Sequence, residues 1–309
     1  MTILTGEYVF AAKVENTYGV DATPDTTLNA MRVKANLQLA KVETEEMDYD
    51  SGSTGSKGSI EKSRLVEGDL SAYYAGSGTN NIPPAISPLL KAAALKVSPG
   101  ADKVDITLDD ITDSDSVTGK FFRGTASQTQ RGARMDWEIE FSVDALPRIK
   151  FPSYKALYQD QENGAKPATI DLSAFKNPRP TNPVRFVTKS IHGYNAAISK
   201  VTIKGNCEVV YVPEDQAVKI IDRKVTWDIE FKEPTPDVID FYKKIGDYGA
   251  IDIQVGQDVA DEGHIFEAHS ANAQLSNVSQ TERNKVAYLN ATFEAVPTAP
   301  NNEITMITR

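Results

Sequence analysis

Five aspartates, Asp105, Asp109, Asp110, Asp113 and Asp115, crowd one short stretch, and its text DDITDSDS has the outline of a cation loop. A calcium loop of the helix–loop–helix kind also needs a central glycine and a closing glutamate. Neither is in place, so the tract reads as a solvated loop. The three histidines are His192, His264 and His269, and no HExxH pair occurs. His264 and His269 are five apart on an expected strand, which puts them on opposite faces. The single cysteine, Cys207, leaves no intrachain disulfide and no thiolate cluster. It falls on the apolar phase of a strand, where a thiol behaves as a small core residue. No metal and no cofactor is expected.

Covalent and phosphate chemistry fare no better. The glycine-rich stretches Gly52–Gly58 and Gly76–Gly78 lack the Lys-Ser/Thr ending of a phosphate loop, and no G-x-S-x-G elbow is present. With 43 acids, any two could be cast as a glycosidase pair, but the separation such a pair needs is not written in a sequence. The expectation is a protein that is not an enzyme. The 43 acids face 33 bases, a net charge of -10, with no basic stripe to grip a phosphate backbone, so sequence-specific DNA binding is not expected. An acidic protein can still lie beside DNA if its task is not to hold it. No apolar run reaches the about 18 residues of a membrane helix. The opening MTILTGEYVF lacks the basic start and long apolar run of a signal peptide.

The elements that must position these residues are mostly strands. One phrase occurs twice: Met135-Asp136-Trp137-Glu138-Ile139-Glu140-Phe141 and Val225-Thr226-Trp227-Asp228-Ile229-Glu230-Phe231. Both alternate apolar residues with acids or a hydroxyl, the pattern of a half-buried strand. Strands are also expected over 33–46, 65–74, 102–108, 117–124, 149–158, 200–211, 218–231, 250–255, 265–275 and 285–296. The polar stretch Asp48–Lys57 reads as a hairpin excursion. A last short strand over 304–307 is expected to dock on a neighbour. Ser87-Pro88-Leu89-Leu90-Lys91-Ala92-Ala93-Ala94-Leu95 carries a helix signal with Ser87 as cap. Thr235, Pro236, an apolar side of Val238, Phe241, Tyr242 and Ile245, and a closing Gly246 carry a second.

The order strand, polar hairpin, strand, short helix thus appears twice, over about 33–95 and 200–245. The two Trp phrases do not hold equivalent places in that order, so repetition is argued from the elements rather than from the echo. The expected architecture is mostly β: two tandem β-sandwich or barrel modules, each with a short flanking helix, over residues 1–183 and 184–309. The stretch 159–183, rich in Pro, Asn and Asp, connects them. Such modules have sheet edges that must be blunted or used. Arg123, Arg131 and Arg134 either bridge to acids on a neighbour or solvate a hairpin.

The stretches YGVDATP (18–24), GDLSAYYAGSGTNNIPPAISPLLKAAAL (68–95), FPSYKALYQD (151–160), NPVRF with HGYNAAISKVTIKGNCEVVYVPED, IIDRKVTWDIEF (220–231) and the closing NEITMITR together resemble the major tail tube protein of long-tailed, non-contractile phages, in its two-domain form. AGSGT…PP…SPLL is the most specific of them, and coverage is nearly the full chain.

The resemblance implies tandem tail-tube modules and a structural virion protein, assembled in the host cytoplasm into the tail. Its rings stack around a channel through which DNA is ejected. It implies a homo-oligomer, a trimeric ring of double modules, with a hexameric ring as the alternative. Other implied partners are the tape measure protein and double-stranded DNA in the lumen, and tail terminator and distal tail proteins at the ends, with no membrane. Asp136, Glu138, Glu140, Asp228 and Glu230, opposite the apolar phase of the Trp phrases, are candidates to line an acidic channel, against the alternative of an ordinary solvent face. Tyr49, Asp50 and Lys57 of the hairpin and Gln161 and Lys166 of the connecting arm are candidates for contacts between stacked rings. A carbohydrate- or receptor-binding β-sandwich is the second reading; it wants an aromatic platform or a calcium cage.

Overall fold

The computed structural model describes residues 8–49, 55–164, 167–257 and 261–309. Its strands in the first part of the chain are β1 (Tyr8–Val14), β2 (Ala30–Met31), β3 (Lys34–Glu46) and β4 (Ser59–Tyr73). The helix α1 (Ser87–Ala92) follows, then β5 (Leu95–Pro99), β6 (Val104–Leu108), β7 (Val117–Arg123), β8 (Ala126–Arg134), β9 (Glu138–Ser142), β10 (Arg148–Leu157) and β11 (Glu162–Asn163). The remainder carries β12 (Phe186–Ile191), β13 (Tyr194–Asn195), β14 (Ile198–Lys204), β15 (Glu208–Val212), β16 (Ala217–Asp222) and β17 (Thr226–Lys232). It closes with β18 (Tyr248–Val255), β19 (Phe266–Arg283), β20 (Val286–Ala295) and β21 (Thr305–Thr308). The fold is predominantly β with minimal helix.

α1 forms where expected, with Pro88 in its first turn and Leu89, Leu90 and Ala92 buried. Ser87 is not its cap: Ile86 holds that position, and the Ser87 hydroxyl donates to the Pro84 carbonyl instead. The second flanking helix does not form; residues 236–238 and 241–246 are turns. Asp240 accepts the N–H groups of Tyr242 and Lys243, a local bond that competes with helical ones. Phe241 is buried, but Val238, Tyr242 and Ile245 are exposed, so the segment has no apolar face to hold a helix down.

Two expected long strands are broken. Asn206 takes a positive φ between β14 and β15, and Arg223–Val225 separates β16 from β17. At the first break Gly205 is required: a Cβ there would stand 2.4 Å from the Trp137 indole nitrogen. The C-terminal strand docks within its own chain, β21 pairing with β6 on one side and β19 on the other.

The pairings trace one antiparallel sheet of eight strands, β3–β4–β10–β9–β14–β17–β20–β19. Its inner face carries one cross-strand row of Ala72, Ile149, Ile139, Ile203, Trp227, Phe293 and Leu275. All but Ala72 are essentially buried. Burial of each large apolar side chain stabilises the fold by about 1.5–3 kcal/mol relative to exposure. A second layer, β12–β18–β19–β21–β6–β5, shares the long β19, and β2–β1–β7–β8 packs beside β10.

The pairing order β3–β4–β10–β9 recurs as β14–β17–β20–β19. In each set a hairpin partner precedes the next strand, and β1 with β2 before β3 is matched by β12 with β13 before β14. The two sets meet at β9 and β14. Among the described residues, β3 pairs only with β4, and β19 beyond Leu275, whose N–H and carbonyl bond Asp247 and Gly246, pairs only with β20. The eight-stranded sheet therefore ends on two open edges.

Candidate functional site

The outer face of that sheet collects four of the five acids singled out in the two Trp phrases, Glu138, Glu140, Asp228 and Glu230. One row runs Lys34, Ser71, Lys150, Glu138, Lys204, Thr226, Glu294 and Gln274, one residue from each of eight strands. The next runs Tyr73, Arg148, Glu140, Thr202, Asp228, Thr292 and Asn277. Period-two alternation makes this face polar because its other side is the core.

Glu138, Glu140, Asp228 and Glu230 all lie on this face and line one shallow groove of about 370 Å³. Each carboxylate is matched. Lys150 reaches Glu138 at 2.8 Å, Lys200 reaches Glu140 at 2.9 Å, Lys204 reaches Asp228 at 2.7 Å and Arg283 reaches Glu230 at 2.8 Å. The expected acidic wall is therefore replaced, on this face, by alternating charges. The cause is register: β10, β14 and the β19 tip bring a base beside every acid of β9 and β17. The Lys204 ammonium is held above its ordinary value, chiefly by the Asp228 hydrogen bond. Half-exposed pairs of this kind contribute about 0–1 kcal/mol each, so the pattern selects register more than it stabilises.

Asp136 is not on this face. It sits buried at the seam between β9 and β14, and its Oδ1 accepts the backbone N–H groups of Trp137 at 2.7 Å and Cys207 at 2.9 Å. Burial holds its carboxyl above the ordinary value, against the pull of those two donors. Gly205 N–H donates to the Trp137 carbonyl at 2.9 Å, completing the clip. The strand of the first Trp phrase starts only at Glu138, so its alternation does not extend back to Asp136.

Other ties across the chain were not legible as such. Arg134, expected to solvate a hairpin or reach a neighbour, is buried and donates to the carbonyls of Val218 and Ser114. Its guanidinium lies 5.2 Å from the centre of the Tyr18 ring, and the Tyr18 hydroxyl accepts the N–H of Val218. Glu15, which no pattern marked, is buried and accepts from Gly19, Ser116, Thr118 and Gly132 at 2.6–2.8 Å. Its only sequence signal is a lone acid ending an apolar strand.

The hairpin and arm candidates lie apart from this face. Tyr49 is exposed at the end of β3, with the Lys57 ammonium over its ring. Gln161 accepts from Arg123 at 2.8 Å. The Arg64 guanidinium lies over Tyr158, so the arm leaves from the base of the β3–β4 hairpin. Asp50 and Lys166 lie outside the described residues.

His269 pairs with Asp252, and His264 is held below its ordinary value by burial and by Arg179 and Arg185. Cys207 is buried, and its thiol is pushed well up by desolvation. Among the described residues no group of three or more His, Cys, Asp or Glu is placed to hold a metal ion. No helix among them is long and apolar enough to cross a membrane. No family model matches the chain, and no curated protein matches it.

Proposed function

We propose that the chain is the subunit of a tail tube of a long-tailed, non-contractile phage: a structural virion protein that forms stacked rings for DNA passage. In this reading residues 1–183 and 184–309 are two tandem tube modules, and three chains close a ring of pseudo-sixfold form. The observation that carries it is the sheet with two open edges. Its internal seam, β9 against β14, joins two four-stranded sets of the same pairing order. The same antiparallel step, repeated between chains, sets β19 of one copy against β3 of the next. Eight strands is an even number, so the alternation continues without a break.

Open edges normally invite uncontrolled pairing. Closure into a ring removes them. The outer polar face of the sheet then faces the channel, and its matched charges neither trap a phosphate backbone nor leave a field of one sign. Partners along the channel are double-stranded DNA and a tape measure protein, with terminator and distal proteins at the ends. Negative-stain imaging of concentrated protein tests the proposal: rings and tubes are expected, and discrete monomers under all conditions contradict it.

A further inference from the structure

A groove of about 760 Å³ opens where three segments meet at one end of the first four-stranded set. Strand register makes two of its walls. Phe10 pairs with Met31 on one side, and on the other Tyr73 pairs with Arg148 and Ala72 with Ile149. The third wall is Ile170 and Leu172 of the connecting arm. Two hydrogen bonds fix that arm. The Thr26 hydroxyl donates to the Thr169 carbonyl at 2.9 Å, and the Asp171 N–H donates to the Thr26 carbonyl at 3.1 Å. The groove is thus shaped within a single chain.

Its floor is apolar and its rim is cationic. Phe10, Met31 and Ile149 are buried beneath it, while Arg32, Lys34 and Arg148 stand exposed around it. Among the described residues, Lys34 and Arg148 have no ion pair, and the Arg32 guanidinium donates to the neutral Asn177 amide. A fourth lining cation, Lys150, is taken by Glu138. Among the described residues no carboxylate lines the groove, in a chain with 43 acids. Asp171, which falls between two lining residues, spends its carboxylate on the Ser173 N–H at 2.8 Å. On the neighbouring polar face each acid has its base; here three bases gather over apolar surface with no acid. An island of positive potential on a net-negative chain concentrates anions at that one place. A bare anion leaves the floor wet, and a neutral apolar body leaves the cations unmatched. An anion with an apolar body satisfies both. The volume lies in the range of about 300–1,000 Å³ typical of small-molecule sites.

We propose that this groove is a binding site for a small anionic amphiphile, one carboxylate or sulfonate carried on an aromatic or aliphatic body. Arg32, Lys34 and Arg148 hold the anionic head, and Phe10, Ile149 and Leu172 hold the body. The planar guanidinium fork suits a carboxylate or sulfonate head. The site is independent of the tube reading, because every wall belongs to one chain.

The test titrates the full-length chain with anilinonaphthalene sulfonate, read by fluorescence, with dodecanoate below its micellar concentration as competitor. Phenylnaphthylamine, the uncharged analogue of the dye, supplies the body without the anion, and inorganic phosphate supplies an anion without the body. One saturable site per chain is expected, emptied by dodecanoate and not by phosphate, with the uncharged dye at least about tenfold weaker. Arg32→Glu/Arg148→Glu is expected to weaken the sulfonate and dodecanoate by at least about tenfold and to leave the uncharged dye unchanged. Both positions are exposed, and circular dichroism checks the fold. Arg32→Gln/Arg148→Gln, which adds no new charge, is expected to act in the same direction and serves if the reversed chain does not fold. A folded variant that binds the sulfonate like the original chain overturns the proposal. So does displacement by phosphate as effective as by dodecanoate, an uncharged dye that binds as tightly as the sulfonate, or binding that never saturates. Single-site binding by a chain that forms no rings keeps the groove and leaves only the tube reading to fall.

Discussion

The carboxylate of Asp136 accepts the backbone N–H of Cys207 at 2.9 Å, across 71 residues of sequence. That bond fastens the β8–β9 turn to the β14–β15 turn at the place where the two four-stranded sets meet. It turns an acid that looks like one of an alternating surface series into an internal clip.

Asp136→Ala leaves two buried N–H groups without their acceptor and is expected to cost about 1–3 kcal/mol in chemical denaturation. Asp136→Asn keeps an oxygen acceptor and removes the buried charge. Because the folded-state pKa of Asp136 is raised above 3.8, its contribution favours the folded state at low pH and is lost as pH rises from 3.8 through the raised value. The Asn variant is therefore expected to lack that fall and to match or exceed the parent near neutrality. A parent whose stability rises through this window relative to the Asn variant contradicts the assignment.

The seam is held by its apolar row rather than its ion pairs. Ile203, fully buried between Ile139 and Trp227, is expected to cost about 2–5 kcal/mol as Ile203→Ala. Lys204→Met, which deletes the ammonium next to Asp228, is expected to change stability by less than about 1 kcal/mol. Urea midpoints of the two variants measured side by side check the ranking.

Asp261 anchors the connecting arm. Burial raises its pKa, but the Gln257 N–H and the guanidinium groups of Arg179 and Arg185 outweigh it and hold the carboxyl below 3.8. A lowered carboxylate supplies stability above 3.8 that is lost as pH falls through the folded value. Asp261→Asn removes the charge beside the largely buried Arg185 and is expected to cost about 3 kcal/mol or more at neutral pH, with a flatter acid limb. Thermal melts across the acid range read both effects.

Strand existence was legible because alternation is dictated by a half-buried sheet: 34–46, 148–157 and 286–295 lie close to where their patterns put them. The breaks were not. Gly205 and Asn206 keep the apolar phase while turning the chain, since the turn is forced by a Trp137 ring from the other set. The failed helix over 235–246 follows from Asp240 bonding locally, a competition that periodicity does not register. β8 was hidden because its segment is polar; Gln128 and Gln130 are buried by bonding, not by hydrophobicity. Of the site, the four acids Glu138, Glu140, Asp228 and Glu230 were legible as one phase of two strands, but their matching lysines were not, because register across the seam is a long-range fact.

The measurement that bears most directly on the central claim is a cryo-EM reconstruction of the assembled protein with its rotational symmetry determined. The account predicts threefold rings in which β3 of one chain hydrogen-bonds antiparallel to residues 276–283 of the next. A map in which either edge faces solvent, or in which the polar face of Glu138, Lys204 and Asp228 points away from the channel, contradicts it.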